Sequence, residues 1–230
     1  MNTRIVLALV VLMAAQLPAQ LAAITGNRGV SMGHLHLVVR DVEAQKKFWT
    51  ALGGAPVKNG TLELIEFPGV YVMLRQGEPT AGTVGSVVNH IGFNARNSAE
   101  SVAKWQAAGI KPEPGNQPGQ FYITTSDGVR IEILEDKSIG VPLKFQHVHF
   151  NVEPKLVDQV QAWYARIFDA VPGTRGRFKA GDIAGPTSRT ARTTRSKQPP
   201  KAALSTTSAS KWRIWISTSP SSRRKESILT

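Results

Sequence analysis

The sequence predicts an α+β protein assembled from a repeated strand–helix–strand unit, and three observations carry that prediction. First, a short alternating motif occurs three times, as Gly33-His34-Leu35-His36-Leu37-Val38-Val39, Asn89-His90-Ile91-Gly92-Phe93-Asn94-Ala95 and Gln146-His147-Val148-His149-Phe150-Asn151-Val152. Its first histidine recurs after 56 and then 57 residues, a regular period that marks an internal structural repeat. Second, each copy is followed by a stretch with helical spacing. Third, the first two helices are followed by short strand-like runs separated by turn signals.

The motif alternates strictly, so each copy is a strand with one packed face and one face that presents histidine. Leu35, Leu37 and Val39 share one side of the first copy, and His34, His36 and Val38 share the other. After it, Asp41 is a plausible N-cap for a helix over Val42 to Leu52, with Ala44, Phe48, Trp49 and Leu52 near helical spacing and Gly53-Gly54 closing it. Asn97-Ser98-Ala99-Glu100 has the pattern of a capping box before Val102, Trp105 and Ala108. Val160, Trp163, Tyr164 and Ile167 repeat the spacing after the third copy. Leu62 to Phe67 and Val70 to Arg75 are strand-like across a Pro68-Gly69 turn, and Gln120 to Thr125 and Val129 to Leu134 across Ser126-Asp127-Gly128.

These residues resemble the βαβββ module of the vicinal oxygen chelate superfamily, which includes glyoxalase I, bleomycin- and fosfomycin-resistance proteins and extradiol dioxygenases. The resemblance covers residues 31 to about 185. It implies paired βαβββ modules forming an open, cupped barrel, with a complete two-module domain over 31–136 and a partial third module over 144–185. The family hosts several chemistries on this scaffold, so the likeness is specific for fold and weak for reaction.

The resemblance also implies a metal site. His34, His90 and Glu132 match the family's ligands on the first strand of each module and the last strand of the second. Two imidazoles and a carboxylate suit Fe(II), Mn(II), Zn(II) or Ni(II) and leave positions open for substrate. In its strand Glu132 lies between Ile131 and Ile133, an unusual place for an acid unless its face has a use. Some family members have a fourth ligand on the last strand of the first module; here Met73 takes that place, and a thioether is a poor ligand for a hard ion. That departure counts against a glyoxalase I reaction. Tyr122 stands ten residues before Glu132, the spacing at which extradiol dioxygenases carry a tyrosine that assists acid–base chemistry. The plainer alternative is that the histidines are ordinary strand residues and that Glu132 pairs with Arg130 or a lysine.

Composition limits the rest. There is no cysteine, so no disulfide framework exists. Arg4, the apolar run Ile5 to Ala15 and the small residues Ala19, Ala22 and Ala23 have the layout of a signal peptide over residues 1–23, which implies a periplasmic or extracellular protein. The alternative is a retained anchor, for which the run is short. Ten of the 28 basic residues lie in 186–230 against one acid, Glu226, so the formal charge of +12 belongs mostly to that stretch and not to the domain. This argues against nucleic acid as the domain's partner.

From Pro186 onward the composition turns to Ser, Thr, Arg, Lys and Pro without periodicity, the signature of a disordered basic tail. We read it as a reading-frame shift. One permitted shifted translation of Ser205 to Trp212 is L-D-H-I-G-F-E-V, nearly a fourth copy of the motif, with its histidine at the position of Thr207. On this reading the third module has lost its partner, and Val148, Phe150, Trp163 and Ile167 lack cover.

The expected function is a metal-dependent enzyme, dioxygenase-like or related, that acts on a small molecule with vicinal oxygens bound to one divalent ion. Module exchange between chains makes a homodimer reasonable. The alternatives are a metal-free module that sequesters a small molecule and an inactive frameshifted product.

Overall fold

The computed structural model describes residues 33–184, the backbone of 211–218 and the side chain of Ile216. The expected signal peptide, and the tail apart from 211–218, lie outside the described residues. Within them the chain is α+β, and the same module is built three times. The first module comprises β1 (His34–Val39), α1 (Val42–Leu52), β2 (Ala55–Asn59), β3 (Leu62–Phe67) and β4 (Val70–Gln76). The second comprises β5 (Val88–Ala95), α2 (Ser98–Ala107), β6 (Glu113–Pro114), β7 (Gln120–Thr124) and β8 (Arg130–Glu135). The third comprises β9 (Leu143–Val152), α3 (Val157–Phe168), β10 (Val171–Arg175), β11 (Phe178–Ala184) and β12 (Lys211–Thr218).

In each module the first strand lies beside the last and parallel to it, as β1 on β4, β5 on β8 and β9 on β12. The first module forms a four-stranded sheet in the order β1-β4-β3-β2. The other two join into one eight-stranded sheet, β10-β11-β12-β9-β5-β8-β7-β6, through the antiparallel pair β5 and β9. Of the modules in the expected 31–136 domain, the second shares its sheet with the third, and it shares its core with the first. Within the tail, Lys211–Thr218 is paired on both sides, to β9 and β11; Trp212, Ile214, Trp215 and Ile216 make it an apolar run with high strand propensity within a polar tail.

Local signals decided the helices as the sequence predicts. The Asp41 side chain accepts from the Ala44 N–H at 2.9 Å, and the Asn97 side chain accepts from the Glu100 N–H at 3.1 Å, satisfying N–H groups that have no partner inside the helix. Gly53 ends α1 with φ 130°, a conformation that glycine adopts without penalty.

The first module packs against the back of the eight-stranded sheet. Trp49, Phe67, Phe93 and Phe145 form a run of edge-on contacts with centroids 6.0, 5.0 and 5.6 Å apart. Trp105 of α2 donates its indole N–H to the Leu52 carbonyl at 2.9 Å, so the end of α1 is capped by the second module. Trp105→Phe keeps an aromatic ring in the core but removes part of its bulk and strands that carbonyl. We expect it to lower the unfolding free energy by about 1–3 kcal/mol, read by urea denaturation.

The third module has a smaller core of Ala170, Ile183 and Ile216, covered in part by Val157, Val160 and Phe168. Val148 is buried in the main core, and Phe150 stacks on Tyr164 with centroids 5.9 Å apart, so both have cover, contrary to the expectation from the sequence. Trp163 and Ile167 do remain exposed.

Candidate functional site

Alternation along β5 and β8 separates the core from the site. Ile91, Phe93, Ile131 and Ile133 point into the core, so His90, Gly92 and Glu132 must emerge on the opposite face. That face is cupped: both wings of the sheet, with Gln117 at one end and Arg177 at the other, line the same cavity of about 1140 Å³ as His90 and Glu132.

At the cavity floor three donor atoms converge. The Nε2 atoms of His90 and His147 are 3.1 Å apart, and each lies 3.4 Å from Glu132 Oε2. Each Nδ1 faces a side-chain amide oxygen, Asn89 Oδ1 at 2.7 Å for His90 and Gln146 Oε1 for His147. An amide oxygen only accepts, so each Nδ1 carries a proton and each neutral ring turns its Nε2 lone pair to the shared point. Two lone pairs and a carboxylate oxygen repel one another unless something positive sits among them, either a proton or a metal ion. Ligand atoms about 2.0–2.2 Å from one ion, at octahedral to tetrahedral angles, stand about 2.8–3.6 Å apart, which matches all three separations. His90, His147 and His149 also form a buried group whose ligand atoms lie within 4.8 Å of one another, and they could hold a metal.

The surroundings orient these groups. Glu132 Oε1 accepts from Gln120 Nε2 at 2.6 Å and from the Tyr122 hydroxyl at 2.9 Å, which leaves Oε2 buried with no hydrogen bond. Burial pushes the Glu132 carboxyl upward, but when protons rather than a metal ion sit among these groups, the hydrogen bond that a protonated His90 donates and the positive charges of His147 and His90 outweigh burial and hold the carboxyl at about 2. Burial and the Glu132 carboxylate push the Tyr122 phenol up to about 12, against a small opposing pull from Arg130, whose guanidinium lies 3.8 Å from the ring centroid. Tyr122 is thus a protonated donor that positions the carboxylate. Gly92 is part of the construction too: a Cβ there would lie 2.0 Å from His147 Cε1, so only glycine leaves room for that ring.

Of the residues expected from the sequence, the structure brings His90, Glu132 and Tyr122 together and sets His34 apart. His34 is exposed on β1 in the four-stranded sheet, its ring 4.5 Å from that of His36. The third corner belongs to His147, because β5 pairs with β9. The repeat itself carried the signal, since His147 is the first histidine of the third motif.

Two titrations set the acid behaviour of the metal-free protein. Burial and the nearby His90 hold His149 at about 4, below its ordinary 6.5, despite Glu132. Between those values the unfolded chain binds a proton that the folded chain does not, so stability falls as pH falls. Glu132, ordinarily 4.5 and held at about 2, has the same sign over the lower interval. We expect the Tm of metal-free protein to drop as pH falls from 6.5 toward 4, and His149→Asn to flatten that slope in calorimetry.

No protein-family model matches the chain, and no curated protein matches it. Solved structures do. A glyoxalase I mutant from Zea mays aligns with TM-score 0.56 at 12% identity, covering 81% of this chain and 67% of that one. A second mutant of that enzyme gives 0.55 at 11%, covering 82% and 69%. A putative dioxygenase from Bacillus subtilis gives 0.53 at 13%, covering 83% and 64%. The chain therefore spans about two thirds of each of these proteins, and at such identities the likeness is one of fold.

Proposed function

We propose that this chain, whose paired βαβββ modules have the vicinal oxygen chelate fold, is a metal-dependent enzyme with His90, His147 and Glu132 as its ligands. The observation that carries the proposal is the convergence of two lone pairs and an orphaned carboxylate oxygen on one point. A divalent ion bound there supplies a Lewis acid for neighbouring oxygens of a substrate and stabilises negative charge that develops on them. The protein's own groups do the rest. Gln120 and Tyr122 fix the Glu132 carboxylate, and Asn89 and Gln146 fix the tautomers of the two imidazoles. His149 flanks His90, with ring centroids 4.5 Å apart, and lines the same cavity.

The cavity mouth narrows the substrate class. Arg175, Arg177 and Lys179 line the same wall. Asp182 lies 3.5 Å from Arg175 and Asp158 lies 3.2 Å from Lys179, whereas Arg177 lies over the Phe178 ring at 5.2 Å. This supports a small anionic substrate with vicinal oxygens. Export, supported by Arg4 and the apolar run that follows it, belongs to the same reading.

The test is metal loading followed by turnover. Purified full-length protein should take up one equivalent of Mn(II), read as loss of the free-ion EPR signal. The loaded form should convert members of a panel of anionic catechols and α-hydroxycarbonyl compounds. Failure to bind any of Fe(II), Mn(II), Zn(II) or Ni(II), with retained binding of panel members, would instead identify a sequestering module.

A further inference from the structure

The sequence contains one Asn-Gly pair, Asn59-Gly60, and the fold sets it at an exposed hairpin tip of the first module, away from the site described above. Asn59 is the last residue of β2 and pairs with Leu62, the first of β3, so Gly60 and Thr61 alone make the turn. Gly60 has φ 60°, and Thr61 stays out of the left-handed region, as in the type II′ turn that favours glycine at its first central position. We propose that Asn59 is a self-modification site, which deamidates through a succinimide to aspartate or isoaspartate and gives the first module an irreversible, age-dependent change at the end of β2.

Both reacting groups are free. The Asn59 carboxamide and the Gly60 N–H have no hydrogen-bond partner among the described residues, and both residues are exposed. A Cβ built on Gly60 would meet nothing within 4 Å, so no side chain, its own or a neighbour's, screens its nitrogen. Ring closure requires the Asn59–Gly60 link to leave extended geometry, which breaks only the terminal cross-strand pair. Strand ends fray at little cost, and β2 is paired on one side only among the described residues.

The step balances with water and hydroxide as the co-reactants. Hydroxide removes the Gly60 amide proton, and the nitrogen attacks Asn59 Cγ. A bond forms between that nitrogen and Cγ, the Cγ–Nδ2 bond breaks, and Nδ2 leaves as ammonia with a proton from water. Water then opens the five-membered imide at either carbonyl. Cleavage of the new N–Cγ bond gives aspartate, and cleavage of the original peptide bond gives isoaspartate, whose main chain runs through Cβ and Cγ. No oxidant or reductant takes part.

The same ring is denied elsewhere in the chain. Asp127-Gly128 has the related sequence, but Asp127 is buried and accepts from the Arg40 N–H at 3.2 Å and from Gln45 Nε2 at 2.8 Å, while the Gly128 N–H donates to the Thr125 carbonyl at 2.9 Å. Asn89 faces the His90 ring, Asn94 donates to Asp136 and Asn97 caps α2. Each of these asparagines also precedes a residue with a side chain, which crowds the attacking nitrogen.

Either product places a carboxylate where a neutral amide stood. Its neighbours Lys58, Thr61 and Leu62 line a cavity of about 1070 Å³ together with Lys46 and Arg75, so the rim of that cavity changes charge. Isoaspartate also adds a carbon to the main chain, which puts the residues on either side out of step with the pleat.

Peptide mapping by mass spectrometry of the full-length protein, aged in mildly alkaline buffer, tests the proposal. The expected result is a gain of one mass unit at Asn59, at least tenfold faster than at any other asparagine and in proportion to hydroxide, with isoaspartyl methyltransferase labelling the same peptide. Gly60→Ala should slow it at least tenfold. Because alanine at that φ strains the turn, Asn59→Gln is the second variant: it keeps Gly60 and abolishes the gain, since the six-membered ring closes far more slowly. In the aged protein amide exchange at Leu62 should quicken at least tenfold, whereas Asn59→Asp leaves it unchanged. An Asn59 that stays intact while a free peptide spanning residues 57–62 converts in the same buffer overturns the proposal. So does a gain that persists in Asn59→Gln.

Discussion

His147→Ala loses its Mn(II), with affinity falling more than about a hundredfold, while His34→Ala keeps it. Removing even a group that only orients a ligand costs roughly ten- to a hundredfold in affinity, and His147 supplies one of three converging donor atoms. The contrast between the two variants is the informative part. Both histidines open the same repeated motif, and only their partners across the sheet differ: β5 beside the strand of His147, and, among the described residues, no second strand beside that of His34. Titration of Mn(II) by EPR on both variants checks it. Retention of Mn(II) by His147→Ala together with its loss from His34→Ala would reassign the site.

Gly92→Ala should lose the metal without losing any ligand. The added methyl would stand 2.0 Å from His147 Cε1 and 2.2 Å from its Nδ1, and the ring is completely buried. The imidazole must swing away, its Nε2 leaves the shared point, and the crowding costs about 1–3 kcal/mol of stability. The expected readout is a folded protein with a lowered Tm and Mn(II) affinity reduced at least tenfold. Wild-type affinity in this variant would show that the ring does not sit where the structure has it.

The contrast between the two sheets also explains how far the sequence could be read. Each module was legible from local physics: alternation marked β1, β5 and β9, and Asp41 and Asn97 marked the starts of α1 and α2 at distances that short-range hydrogen bonds enforce. Glu132 was legible because an acid flanked by Ile131 and Ile133 has to leave the core on the other side. What could not be read locally was which module joins which. That choice depends on strand edges meeting across more than fifty residues, as His90 and His147 do, and alternation is the same whichever partner is chosen. β12 was hidden for a different reason. Its short apolar run, Trp212, Ile214, Trp215 and Ile216, lies in a stretch whose overall composition reads as solvated tail. Gly92 had a signal too: it breaks the His-x-His form of the other two motifs, and the missing side chain marks where the His147 ring fits.

The placement of the ligands on both sides of the β5–β9 ladder has a mechanical consequence. An ion gripped by His90 and Glu132 from one half of the large sheet and by His147 from the other acts as a rivet through the seam. Any ligand that binds only the folded form stabilises it in proportion to the logarithm of its concentration over Kd. Chelation should therefore loosen the seam first, and amide exchange along β9 should quicken before exchange along β3, which lies in the other sheet.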